Sequence, residues 1–448
     1  MRTGQRVGKG RREPVPEILP PAAQERAAAL MLSDRVDHEA AAGRLPAGAE
    51  ERGQSGEEPL DVIGTGAGAF HGGEPGADEV AEVPLQGQIE DRPLSAEGGI
   101  QAGAVQASSL LQEAGAGLAA GRITLQEHAE LADRAVRETI KHFEATGSPV
   151  ITDGEQAKPS FATYPLAGLP SLAPDGAVIP LADGHTRQLP RLTAGPFRYA
   201  HHADAYLRQA QRHAHVPVKQ AVIAASALSL VYPQDGIGGY PRDAFLADLV
   251  REAEADIRGA LDAGAHSVQI DFTEGRLALK LDPSGQLLQS FIDLNNQVLD
   301  HFTPAERQRI GVHTCPDGDQ DSTHSADVDY AGLLPGLFSL NAGAFYIQLA
   351  SEPDRCRVLR IIAQSAKPQQ RIFVGVTDPI SPRVETEEEV RDRVLEAAEY
   401  VDPGQLGTCD DCGFAPFGDD TSTTRETAFA KISARVAGTQ LAGRELGI

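Results

Sequence analysis

The stretch Ile310-Gly311-Val312-His313-Thr314-Cys315 carries a short apolar run directly into a histidine and a cysteine at alternate positions. The same cadence recurs along the chain. Val268-Gln269-Ile270 ends on Asp271, Phe373-Val374-Gly375-Val376 ends on Thr377-Asp378, and Val150-Ile151 leads into Asp153-Gly154-Glu155. A last run closes on Cys409-Asp410-Asp411-Cys412. Apolar runs of this length, each followed by a segment with helical periodicity, predict a βα alternation. Strands are expected at 149–153, 216–225, 267–271, 310–315, 344–349, 371–377 and 405–409. Helices are expected at 125–145, 200–213, 241–263, 287–301, 333–340, 355–365, 385–400 and 424–436, with Pro241 and Pro304 at helix starts that tolerate a missing N–H. Residues 178–193, with Asp183-Gly184 between two apolar arms, predict an inserted hairpin. No Gly-x-Gly-x-x-Gly loop follows any of the strands, so the series fits an α/β (β/α)8 TIM barrel better than a doubly wound sheet.

Composition divides the 448 residues unevenly. Among 14 Phe and 8 Tyr only Phe70 precedes residue 143, so residues 1–105 have little to bury against the entropy of ordering them. They are expected to form a low-complexity, disordered extension, with 106–448 as the catalytic barrel. A net charge of −24 argues against nucleic acid and against anionic membranes as partners. Four cysteines and the lack of a signal-like start point to the reducing cytoplasm, where thiols serve metals or catalysis.

In such a barrel the active site is built where strands end and the following loops begin. His313 and Cys315 at alternate positions of one strand end, with Cys412 from the strand that closes the barrel, are able to converge on one tetrahedral Zn2+ and leave a fourth position open. Taken singly, Cys315 reads as a small buried apolar residue and His313 as a core histidine. Cys409-x-x-Cys412 has a redox pair as its rival reading, although Gly413-Phe414-Ala415-Pro416 is a poor helix start for a thioredoxin-like motif. Cys356 sits alone in a helical pattern and is expected to be structural. Asp317-Gly318-Asp319-Gln320-Asp321 lacks the glycine and glutamate positions of a calcium loop and is expected to be a solvated loop, with His324 beside it facing the site. His201 and His202 are expected at the surface.

These motifs resemble the cobalamin-independent methionine synthases, barrels of the uroporphyrinogen decarboxylase/methionine synthase type. The resemblance runs through residues 110–448. It is carried by Asp153-Gly154-Glu155, Gln269-Ile270-Asp271, His313-Thr314-Cys315, 375–384 (Gly-Val-Thr-Asp-Pro-Ile-Ser-Pro-Arg-Val) and Asp411-Cys412-Gly413. It implies a zinc-dependent methyltransferase that moves a methyl group from 5-methyltetrahydrofolate, polyglutamylated or not, to the zinc-bound thiolate of homocysteine, giving methionine. His313, Cys315 and Cys412 fall on the family's zinc ligands, and Glu155 and Asp271 on the acids that hold the homocysteine ammonium group.

Three positions depart from the family. Gln348 stands where the family has a carboxylate zinc ligand, which leaves Glu352, Gln348 and Cys409 as alternatives for that role. Ile380 stands where the family has a proton-donating histidine, so His324, Asp378 or a water is expected to act in its place. Nothing before Ser109 matches the family's Ile-Gly-Ser loop, and residues 1–105 are expected not to supply a proper first strand. Two other readings follow: a barrel of the same superfamily with another thiol alkyl-transfer or lyase reaction, and an inactive relative that lacks zinc.

Overall fold

A computed structural model of the protein describes residues 105–448. The expectations for residues 1–104, including the missing first strand, lie outside the described residues. Two helices, α1 (Ser109–Ala119) and α2 (Leu125–Ala145), come first. The inserted segment follows as four short strands, β1 (Leu172–Ala173), β2 (Val178–Pro180), β3 (Thr186–Gln188) and β4 (Arg191–Leu192), in which β2 pairs antiparallel with β3 and β1 with β4. The hairpin turn falls at Asp183-Gly184, as expected, with Gly184 in the left-handed region that favours glycine.

The βα series then begins with α3 (Ala203–Gln211), β5 (Gln220–Ile223), α4 (Ala225–Leu228) and α5 (Arg242–Asp262). It continues through β6 (Val268–Asp271), α6 (Glu274–Leu281), α7 (Gln286–Leu299), α8 (Pro304–Arg307) and β7 (Ile310–Thr314). A small hairpin of β8 (Gly318–Asp319) and β9 (Ser322–Thr323) follows, then α9 (Leu334–Leu337), β10 (Ala344–Ile347) and α10 (Arg355–Ser365). The chain closes with β11 (Arg371–Thr377), α11 (Glu387–Ala398), β12 (Leu406–Asp410) and α12 (Arg425–Leu446). Strands β5, β6, β7, β10, β11 and β12 form one parallel sheet in sequence order. Ile151 adds a parallel bridge to Val218 at the β5 edge, the next position of the same series.

Several expected elements are shorter than their apolar runs. The strand expected at 149–153 is only the bridge at Ile151, because the backbone turns at once into a left-handed pair, Gly154 and Glu155. The run 216–225 stops being strand at Ile223, since Ala225 already opens α4; the Ala224 N–H makes the last ladder bond, to Asp271 O. Pro241 caps α5 and Pro304 opens α8, both at helix starts. The loop at 317–321 is not solvated as expected. Asp317 and Asp319 are buried, because β8 pairs with β9 and Arg187 and His185 of the inserted hairpin bind Asp319.

Register decides what the sheet presents. Parallel pairing aligns Ile223 with Asp271, Asp271 with His313, His313 with Tyr346, and Tyr346 with Phe373. Residues in register share a face and alternate residues point to opposite faces. One face therefore carries Lys219, Gln269, Asp271, His313, Tyr346 and Phe373, while Ile270, Val312, Phe345 and Val374 face the main apolar core. Tyr346 and Phe373 stack at 4.8 Å between centroids and form, with Ala344 and Cys409, a small separate cluster. Gly311 is required by that stack: a Cβ there would lie 2.6 Å from the Tyr346 ring. No helix among the described residues is long and apolar enough to cross a membrane.

Candidate metal and substrate site

His313 is the next residue after Asp271 around the inner face. Its Nδ1 lies 3.3 Å from the main-chain oxygen of Tyr346, to which only a protonated Nδ1 donates. That contact leaves Nε2 with the lone pair, and Nε2 is buried without a hydrogen-bond partner. Burial pushes the imidazole down to about 3, so the ring is neutral at neutral pH. Two residues on, Cys315 is fully buried and its Sγ lies 3.0 Å from Sγ of Cys412. Ligand atoms of His313, Cys315 and Cys412 all lie within 4.8 Å of one another. Burial pushes the Cys315 thiol well above its ordinary value, so a lone thiolate is unfavourable there. A neutral imidazole with an orphaned nitrogen beside two sulfurs is the donor set that zinc takes, and a bound cation reverses the cost of the thiolates. The residues present fit the ion.

The remaining sequence candidates occupy different places. Glu352 is outside this group: its Oε1 accepts from Arg276 Nη1 at 2.7 Å. The same nitrogen donates to Gln348 Oε1 at 3.1 Å, and Gln348 Nε2 donates to Ser351 Oγ at 2.7 Å. Arg276 is itself buried, donates to the carbonyls of Ala326 and Val328, and lies over the Tyr330 ring. Cys409 points into the Tyr346–Phe373 cluster and lies 3.4 Å from Phe373 O, so Cys412 has Cys315 rather than Cys409 as its thiol neighbour. Cys356 sits on α10 against Glu396.

Glu155, Gln269, Asp271, His313, Asp317 and Cys412 line one small pocket. Glu155 reaches it from a backbone at φ 56°, a conformation few non-glycine residues adopt and one that clusters at functional sites. Its carboxylate is held by the buried Lys158 at 2.7 Å. Burial, and next the charge of Glu155, push Asp271 up to about 7. Gln269 Nε2 donates to Asp271 Oδ1 at 2.6 Å, and Lys219 Nζ donates to Gln269 Oε1 at 2.6 Å. His324 is buried, with Nδ1 2.8 Å from Ser325 Oγ and Nε2 3.6 Å from Asp317 Oδ2, so it adjoins the pocket through Asp317. Asp378 does not line this pocket and accepts from the Ile380 N–H at 3.1 Å.

The loop that carries Cys412 is anchored by its neighbour. Asp411 accepts from the N–H groups of Leu349, Ala350 and Ser351, each at 2.8 Å, and from Ser351 Oγ at 2.7 Å. Gly375 makes room for it, since a Cβ there would lie 1.8 Å from Asp411 Oδ1.

Residues 111–435 match the family model "Cobalamin-independent synthase, Catalytic domain". The chain belongs to the cobalamin-independent methionine synthase family. Its members are methyltransferases, and the parallel βα barrel architecture is theirs. Two solved structures share the fold. A B12-independent methionine synthase from Shewanella sp. W3-18-1, in complex with selenomethionine, is 17% identical with a TM-score of 0.59, over 72% of this chain and 91% of that one. A putative vitamin-B12 independent methionine synthase from Listeria monocytogenes is 20% identical with a TM-score of 0.55, over 75% and 95%. A comparison with curated proteins returns no match.

Residues with roles that sequence reasoning passed over are Lys158, Lys219, Arg276 and Asp317. Lys219 has a signal of its own, a lysine inside the apolar run 216–225. Asp317 was masked by an acidic stretch that looks like a surface loop.

Proposed function

We propose that the protein is a zinc-dependent S-methyltransferase that moves a methyl group from 5-methyltetrahydrofolate to homocysteine to give methionine. Residues 106–448 are its catalytic barrel and the cytoplasm is its compartment. The observation that carries this reading is the orphaned Nε2 of His313 converging with two free thiols beside a pocket that holds Glu155 and Asp271. His313, Cys315 and Cys412 hold the zinc. Zinc, when bound, makes a substrate thiol a thiolate at neutral pH, where a free thiol of pKa about 8.5 is mostly protonated.

The chain's own groups do the rest. Glu155 and Asp271 pair with the amino acid's ammonium group and fix the direction of its sulfur, a proximity contribution. Lys158 holds Glu155 in place. When sulfur takes the methyl group, the nitrogen it leaves requires a proton. His324 and Asp378 are the candidate donors. His324 is connected to the pocket through Asp317; because burial pushes its imidazole down to about 3, it is neutral at neutral pH and must first take up a proton to act as donor.

Ile380 favours a second reading in which the same site alkylates a thiol from a donor other than a folate. One experiment separates the readings: metal analysis of the purified protein, followed by product analysis with homocysteine and 5-methyltetrahydrofolate. Zinc near one equivalent with methionine formed supports the first. Zinc without methionine favours the second, and no zinc after careful handling sinks both in favour of an inactive relative.

A further inference from the structure

Behind the pocket, Lys219 is buried on the inner face of the sheet, with Nζ 2.6 Å from Gln269 Oε1 and 4.4 Å from the centre of the Tyr346 ring. Gln269 in turn reaches Asp271 at 2.6 Å. Parallel register makes the chain possible. Ala221 aligns with Gln269 and Ile223 with Asp271, so Lys219, two residues before Ala221, lies on the same face one step deeper.

We propose that Lys219 is a positioning residue that fixes the orientation of the Gln269 amide, and through it keeps Asp271 a hydrogen-bond acceptor for the ammonium group of the substrate. The inference rests on the homocysteine reading above. A primary amide has a donor end and an acceptor end of nearly equal size and turns over easily unless its partners forbid it. Burial brings Lys219 down to about 7. In its ammonium form it has donors and no acceptor, so it pairs only with the oxygen end of Gln269, because the NH2 end would set donor against donor. Gln269 must then offer N–H to Asp271, and an N–H donor favours the ionised carboxylate, the form that pairs with an ammonium. Without Lys219 the amide is free to turn its oxygen toward Asp271, an arrangement satisfied only by a protonated carboxyl. Lys219 touches no substrate in this scheme. Its effect is confined to ligands that carry an amino group.

The test uses the zinc-loaded full chain and calorimetric binding of two thiols, homocysteine and 4-sulfanylbutanoate, which lacks only the amino group. Lys219→Met is expected to weaken homocysteine about tenfold, the ratio that one lost charge-assisted contact produces, and to change 4-sulfanylbutanoate by less than about twofold. Gln269→Met breaks the same chain in its middle, is expected to give the same selective loss, and stands in if Lys219→Met fails to fold. Equal weakening of both thiols, or a homocysteine preference that survives in the variants, overturns the inference while leaving the methyltransferase reading intact. A wild-type protein that binds neither thiol overturns both.

Discussion

The sulfur atoms of Cys315 and Cys412 lie 3.0 Å apart although 97 residues separate them in the chain. Cys315 follows the end of β7, and Cys412 follows β12, with β10 and β11 between them in the sheet. The two thiols meet above the inner face because the loop after β12 folds back over it. Asp411 pins that loop to the N–H groups that follow β10.

Cys412→Ser is expected to lose most bound zinc while keeping the far-UV circular dichroism of the parent, since Cys412 is only partly buried and serves no packing role comparable to Cys315. Metal analysis after dialysis checks it. Full zinc retention would count against the three-ligand assignment.

Glu352→Gln is expected to retain zinc. Its carboxylate is committed to Arg276, so the substitution weakens an ion pair and leaves a buried guanidinium with less compensation. The expected cost is stability, on the order of 1–3 kcal/mol, read as a lower denaturant midpoint. Loss of zinc in this variant would return Glu352 to the set of metal ligands.

Gly375→Ala places a methyl group 1.8 Å from the Asp411 carboxylate. Either β11 shifts or Asp411 leaves its four donors, and with it the loop that carries Cys412. Destabilisation of at least about 1–3 kcal/mol is expected, together with weaker zinc binding. Chemical denaturation and a zinc competition titration measure the two effects. A variant unchanged in both would mean that the close approach is not structural.

Burial raises Glu274 to about 8, and its Oε2 is buried without a partner. The sign follows from linkage. A carboxyl whose folded value lies above its unfolded value contributes stability that is present below about pH 4.3 and lost as pH rises to about 8. Glu274→Gln removes this titration. The variant is expected to be more stable than the parent at pH 8–9 by roughly 1 kcal/mol or more, with a flatter dependence of Tm on pH across that window. Parallel Tm profiles for the two proteins would sink the assignment.

The βα rhythm was legible because each strand of a buried parallel sheet is a short continuous apolar run, and the runs end where polar function begins. Helices α2 and α10 follow the expected bounds because their apolar residues recur at helical spacing and a threonine or aspartate caps their start. α1 and α6 were not expected. α1 carries two glycines that weaken its pattern, and α6 follows β6 almost without a loop. Among the site residues, His313, Cys315, Cys412, Glu155 and Asp271 stood out by type and by position at strand ends. Lys158 and Arg276 did not, because an isolated lysine or arginine in sequence looks like any solvated charge until burial and a partner are known.

By itself the sequence determined which residues are polar at the ends of apolar runs, and hence the barrel type and the list of candidate ligands. Only the tertiary structure decided which of them act together. Register and burial set that choice, since a ligand set is a matter of distance and free lone pairs. Parallel alignment puts Asp271 beside His313, and the Tyr346 carbonyl leaves Nε2 of His313 unpaired. Arg276 binds the carboxylate of Glu352, and Cys409 is turned into an aromatic cluster. Spacing along the chain carries none of these relations, because strands far apart in sequence supply each pair.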